Sequence, residues 1–245
     1  TILAAGAAIQ VLTGIPAAWG VFQQPVMDEY GLSEQGAGYA FGILIAAFGV
    51  GCVLGGFLQD SRGPRCAALW GTALLCGGFF AAAMLPGGSA VSFFLAFSIP
   101  AGLGTAFLYP SIQSCAQKWY AGRKGLATGV IGGAVGLSGA FLTVFVRTAV
   151  SGFGIVQGIR GAFWALGAIT LPVCLAGSLL LQDPPQNAEK QQQNDKNTID
   201  LSPWQMLKTK QYWLCAGAVC FSTPAVLLFS PIILKLGVER GLDEN

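Results

Sequence analysis

The feature that most constrains this chain is a recurrence of apolar runs about as long as a bilayer is thick, with almost no charge inside them. Only 10% of the residues are charged, against about 25% in an ordinary soluble domain. A helix needs about 20 apolar residues to cross the hydrocarbon core. Runs of that length are read at 1–22, 36–58, 66–86, 90–116, 126–147, 162–182 and 211–234. Lipid offers no partner to an open backbone group, so such runs must be helices. The expected class is therefore an all-α, multi-pass integral membrane protein. The 35 glycines suit it, because glycine is commoner in membrane helices than in soluble ones.

The polar breaks carry the organisation. Between the second and third runs the chain reads GGFLQDSRGPR (55–65), and between the fourth and fifth KWYAGRKGLATG (118–129). The first follows the second helix of one three-helix unit and the second follows the first helix of the next, within an expected internal 3+3 inverted repeat. A polar stretch rich in Gln and Asn, over 183–210, separates the sixth run from the seventh and has a linker's composition. This divides the chain into a six-helix bundle (1–182), a linker (183–210) and a seventh helix with the start of an outer loop (211–245). If the 59–65 loop is cytoplasmic, that side collects Arg62, Arg65, Lys118, Arg123, Lys124, Lys190, Lys196, Lys208 and Lys210. The other side has Arg147, Arg160, Lys235 and Arg240. The excess of bases places the linker in the cytoplasm. The acidic stretch 23–35 then faces out, and the plasma membrane is the expected residence. Both chain ends read as cut, which suggests a piece of a longer protein.

The first polar break has a structural reading and a functional one. Gly55 and Gly56 allow close backbone approach, Gly63 and Pro64 set a turn, and Asp60 is placed to cap the third helix. Arg62 and Arg65 can anchor to lipid phosphate or pair with Asp60. Gly56, Leu58, Asp60, Gly63 and Arg65 also resemble the signature loop of the major facilitator superfamily. Three stretches, AWGVFQQPVMDEYGLS (18–33), the LQDxxGPR loop (58–65) and KWYAGRKGLATG, resemble its oxalate/formate antiporter and monocarboxylate porter group. The resemblance implies a twelve-helix transporter of which this chain holds the amino-terminal six helices and the seventh. It implies a secondary active carrier of a monocarboxylate or small dicarboxylate, working by alternating access with proton symport or anion exchange. It implies no cofactor, no metal and no enzymatic step; the partners are the bilayer, the anion and, for symport, protons.

Site residues follow from both readings. In a carrier built from repeats the substrate lies near the midplane, and the resemblance assigns the pathway to helices 1, 4, 7 and 10. Tyr109, before Pro110 in the fourth run, and Gln113 one turn on are polar groups on one face of an apolar helix. A phenol can donate to a carboxylate without bearing charge; the plain alternative is a space-filling aromatic. Trp19 matches a tryptophan of the resembled group. Pro16, Ala17 and Val135 replace residues that enclose oxalate there, so the carboxylate class is implied rather than oxalate itself. The resemblance makes Gly56, Asp60, Arg62, Gly63 and Arg65 an inner-side gating loop, with Ser61 where an arginine is usual. Arg123, Lys124 and Gly125 belong to the second inner loop. Gly125, Gly129 and Gly133 stand four apart in the fifth run, with Gly132 and Gly136 beside them, the spacing of close helix packing.

Other classes fit less well. Histidine is absent, which removes serine–histidine and cysteine–histidine catalysis and every imidazole metal ligand. The seven cysteines show no paired spacing and read as small packing residues. The paired Asn-Pro-Ala repeats of a water channel are missing, and nothing suggests nucleic-acid binding. A receptor or scaffold on the same fold, or a carrier of another solute, is the remaining alternative.

Overall fold

The computed structural model describes residues 2–87, 89–150, 158–182 and 203–222. Among these residues, six helices are long and apolar enough to cross a membrane: Ile2–Tyr30, Glu34–Arg62, Pro64–Met84, Ala90–Trp119, Ala121–Thr148 and Gly158–Leu180. They are called here the first to sixth spans. No strand occurs among the described residues. The chain divides into two compact units, Thr1–Asp183 and Pro184–Asn245, and the first contains all six spans. In the second, Pro203–Met206 forms one short helical turn and 210–222 is helical. There Trp213 Nε1 donates to the Leu207 carbonyl at 2.9 Å. The remainder of the expected seventh span, from 223 on, lies outside the described residues, as does most of the expected linker.

The first span is longer than its apolar run suggests. It continues past residue 22 to Tyr30, and the expected 23–35 loop shrinks to 31–33. The polar residues of the last turns are satisfied without leaving the helix. Gln24 Nε2 donates to Asp28 Oδ1 at 3.1 Å, and the buried Tyr30 hydroxyl donates to the Ala82 carbonyl at 2.8 Å. Gly31, at φ 65°, then ends the helix in the left-handed region. Ser33 starts the second span by accepting from the Gly36 amide at 3.1 Å, with Glu34 in the first turn. That side chain satisfies one of the free amides of a helix start.

The turn between the second and third spans is tighter than expected, and Asp60 is not a cap. Helix runs to Arg62, so Gln59, Asp60, Ser61 and Arg62 form the last turn of the second span. Gly63 alone makes the reversal at φ 85°, ψ 165°, and Pro64 opens the third span. Glycine reaches that φ without a steric penalty, and the proline at the first helical position loses only an amide that had no partner. One residue therefore does the work of a loop, leaving Asp60 on the wrong side of the turn to cap.

Lipid supplies no hydrophobic drive between helices, so close packing of small residues must hold them together. The fourth span is seated this way between the second and third. A Cβ added to Gly102 would fall on the Leu44 carbonyl; one added to Gly104 would come 2.5 Å from the Leu75 amide nitrogen. At Gly51 an added Cβ would lie 2.6 Å from Ala106 Cβ, and at Gly55 3.1 Å from Phe107 Cα. Gly55 thus makes the expected close approach, whereas Gly56 has nothing within 4 Å. The fourth span also carries a π turn over Phe94–Ser98. Phe93 and Phe97 both face the core, where Phe97 lies 4.9 Å from Phe163 and 6.0 Å from Phe79 between ring centroids.

The fifth span corrects a second expectation. Gly125, Gly129, Gly132, Gly133 and Gly136 would each meet nothing within 4 Å if given a Cβ. The buried stripe of that helix is Ala127, Ile131, Ala134, Ser138, Leu142 and Val146, and most of the glycines lie on the other side. Within the first unit they seat no neighbour. Gly38, Gly42, Gly49 and Gly56 leave the second span equally open. These two glycine-bearing faces are the least covered surfaces of the six-span unit.

Candidate functional site

Tyr109 and Gln113 occupy one face of the fourth span, on either side of Pro110, which leaves a helix carbonyl without its amide donor. Both side chains are half-buried. The Tyr109 ring lies 6.4 Å from that of Phe48 on the second span, at 57°. Its hydroxyl has no hydrogen-bond partner among the described residues, and Gln113 Oε1 is buried without one. A phenol and an amide with free capacity, one turn apart, can present both a donor and an acceptor to a small polar solute.

Trp19 is not brought to this pair. It is 1% exposed, with its ring 5.9 Å from Phe41 and 6.4 Å from Phe97 in near-parallel stacking. Phe22 and Phe163 extend the same aromatic core, 5.9 Å apart at 10°. Trp19 is therefore positioned to support the first and fourth spans from within. Burial of this kind depends on the neighbours, which the sequence of one helix does not reveal.

At the inner turn Asp60, Arg62 and Arg65 are all exposed. Asp60 forms no ion pair with either arginine among the described residues. The cluster offers one carboxylate and two guanidinium groups around Gly63, none of them committed to another. Arg123, Lys124 and Gly125 are likewise exposed, at the short 3-10 turn Ala121–Arg123 and the start of the fifth span. That second loop is braced from both sides. Gln117 Nε2 donates to Thr128 Oγ1 at 3.0 Å, and Trp119 Nε1 donates to the Gln182 carbonyl at 2.6 Å. The Cys115 thiol donates to the same carbonyl at 3.4 Å.

At the outer end Arg160 Nε lies 2.7 Å from Glu29 Oε1 and the guanidinium stands 5.9 Å from the Tyr30 ring centroid. With the Tyr30–Ala82 bond, this ties the outer ends of the first, third and sixth spans. Sequence reasoning misses it because the polar 23–35 stretch, Glu29 included, has a loop's composition. The same contact puts the start of the sixth span and the end of the first on one side, as the loop charges imply.

The match to known proteins is broad in coverage and low in identity. An oxalate:formate antiporter of Oxalobacter formigenes is 25% identical over 206 residues, covering 83% of this chain and 47% of the relative. Monocarboxylate transporter 9 of Rattus norvegicus is 27% identical over 172 residues, or 68% of this chain and 32% of its own. The chain spans about half or less of the length of these relatives. Among solved structures, a peptide transporter crystallised with alafosfalin superposes with a TM-score of 0.57 at 23% identity, over 96% of this chain and 47% of the transporter. That likeness shows a common fold. The family model of the Major Facilitator Superfamily matches residues 4–243, and with six spans of the same architecture the chain belongs to that superfamily.

Proposed function

We propose that this chain is part of a secondary carrier for small organic anions, a monocarboxylate or small dicarboxylate, that works by alternating access. The observation that carries the reading is the Tyr109–Gln113 pair: two half-buried polar side chains with free hydrogen-bonding capacity beside an in-helix proline. The carboxylate class is supported by two relatives named for oxalate/formate exchange and monocarboxylate transport. In this reading the Tyr109 hydroxyl donates to a substrate carboxylate and the Gln113 amide borders it. Trp19 supports the helices that carry them. Neither polar group is charged, so they orient the anion rather than neutralise it. Proton symport and anion exchange both fit, and the reading needs no cofactor. Asp60, Arg62 and Arg65 form an inner-side latch, and the Arg123–Lys124–Gly125 turn faces the same compartment, taken to be the cytoplasm with the plasma membrane as residence.

The test is uptake of labelled monocarboxylates and short dicarboxylates by the full-length protein in proteoliposomes, comparing Tyr109→Phe with the unsubstituted form. A hydrogen bond to a charged group contributes about 1.5–3 kcal/mol, so the expected rise in apparent KM is roughly tenfold or more. An unchanged KM would remove Tyr109 from the site, and absence of any carboxylate uptake would overturn the substrate class.

A further inference from the structure

The third and sixth spans run side by side, and contacts between their side chains fix the register. Thr72 Oγ1 and Ser178 Oγ lie 3.2 Å apart, and both residues are buried. About two turns further along the third span, Phe80 lies against Gly167, where an added Cβ would come 2.7 Å from the ring. The same ring stands 5.0 Å from that of Trp164 between centroids. Numbers rise along one helix as they fall along the other, so the two spans are antiparallel. Residues four or seven apart share a helix face. Thr72, Cys76 and Phe80 therefore make one stripe, and Gly167, Cys174 and Ser178 make the stripe that meets it. Cys76 and Cys174, each one turn from the Thr72–Ser178 contact, face each other between the two spans. Their thiols are near enough to act on each other electrostatically.

This pair differs from the other cysteines. Cys76 is 2% exposed and Cys174 is fully buried. Cys115, also buried, gives its proton to the Gln182 carbonyl, while Cys52 and Cys66 are half-buried and Cys215 and Cys220 exposed. Among the described residues no three cysteine, aspartate or glutamate side chains gather so as to hold a metal ion. Two sulfurs are too few for zinc, which takes four ligands in a structural site. They suit a soft cation that is content with two thiolates in line. Charge then selects among such cations, because a net charge between apolar helices is costly. A monovalent cation on two thiolates leaves one negative charge, whereas a divalent one leaves none.

We propose that Cys76 and Cys174 form a two-sulfur site between the third and sixth spans for one soft divalent cation of the mercury(II) type. Mercury dichloride is neutral, so it can reach the pair through lipid. Each thiol exchanges its S–H bond for an S–Hg bond, and the two protons leave with the two chlorides. Nothing is oxidised or reduced, and the product carries no net charge. The bound cation staples the two spans one turn from the Thr72–Ser178 contact. This inference does not depend on what the protein transports.

The test loads the full-length protein in lipid nanodiscs with mercury dichloride, washes it with a monothiol and counts retained mercury by elemental analysis. The wash strips cations held by single thiols and leaves those held by two, because the second sulfur acts at a high effective concentration. The unsubstituted protein is expected to keep at least one cation per chain. Cys76→Ala and Cys174→Ala are each expected to keep one fewer, and Cys115→Ala to keep as many. An unsubstituted protein that keeps none overturns the proposal, and so does unchanged retention in either Cys76→Ala or Cys174→Ala. Should an alanine variant not fold, the serine form at the same position keeps the shape more closely. It is expected to lose the same cation, and unchanged retention there overturns the proposal too.

Discussion

At the scale of single residues, the sharpest constraint is Gly14. A Cβ there would collide with the Ser138 hydroxyl, and overpacking of a filled interior costs about 1–3 kcal/mol. Gly14→Ala is expected to lower the thermal midpoint of the detergent-solubilised full-length protein clearly. Adding Ser138→Gly to it should restore most of the loss, because both clashing side-chain atoms go; no recovery would show that Gly14 is needed for its backbone alone. Residue-scale legibility was uneven. Tyr109 and Gln113 could be picked from sequence because polar groups on one face of an apolar helix are rare, and the structure leaves both half-buried with capacity to spare. Trp19, which only the family resemblance singles out, is enclosed by Phe41 and Phe97. Gln10, buried before the Gly14 break with its amide nitrogen unpartnered among the described residues, carries a sequence signal of its own: an amide and a threonine three apart, followed by Gly-Ile-Pro inside an apolar run.

At the scale of elements, chain punctuation decided more than hydropathy. Apolar runs gave six spans in the right places but clipped them where polar residues occupy a last turn. The first span carries Asp28 and Glu29 on its final turns, and the second carries Asp60 and Arg62. A helix end can hold charge once its side chains reach water, which a hydropathy window counts as loop. The Gly63 turn is where this bears on the proposed latch. Asp60→Asn keeps the shape and removes the one carboxylate among two guanidinium groups. It is expected to slow uptake severalfold and to change the labelling rate of half-buried Cys66, which follows Arg65; unchanged uptake and labelling would dismiss the latch. The glycine face of the fifth span gives a separate prediction. Gly133 meets nothing within 4 Å, so Gly133→Leu should leave the folding of the six-span unit intact. If that face closes against a moving partner surface during transport, uptake should fall by about tenfold while the thermal midpoint holds. A matching drop in stability would instead mean that the face is packed.

For the whole molecule, close fit of small and aromatic residues seats the spans of the six-span unit. Its glycine-seated fourth span and aromatic core need close contact, and the Glu29–Arg160 pair is one ion tie between spans. Both side chains are more than a third exposed, and such pairs contribute only about 0–1 kcal/mol. A double-mutant cycle on Glu29→Gln and Arg160→Gln should therefore give a coupling below about 1 kcal/mol; a larger value would make the pair a structural clamp. By itself the sequence determined that this chain spans a membrane as helices, how many spans the first unit has and which superfamily it belongs to. Those properties are set by local composition and short motifs, because lipid forces every apolar run to satisfy its own backbone. Only the tertiary structure decided that Trp19 is core, that Asp60 sits before the turn, that the fifth-span glycines are open and that Gln10 is stranded at a kink. Each of these depends on which side chain a neighbouring helix places opposite, and helical periodicity assigns a residue to a face without saying what that face will meet.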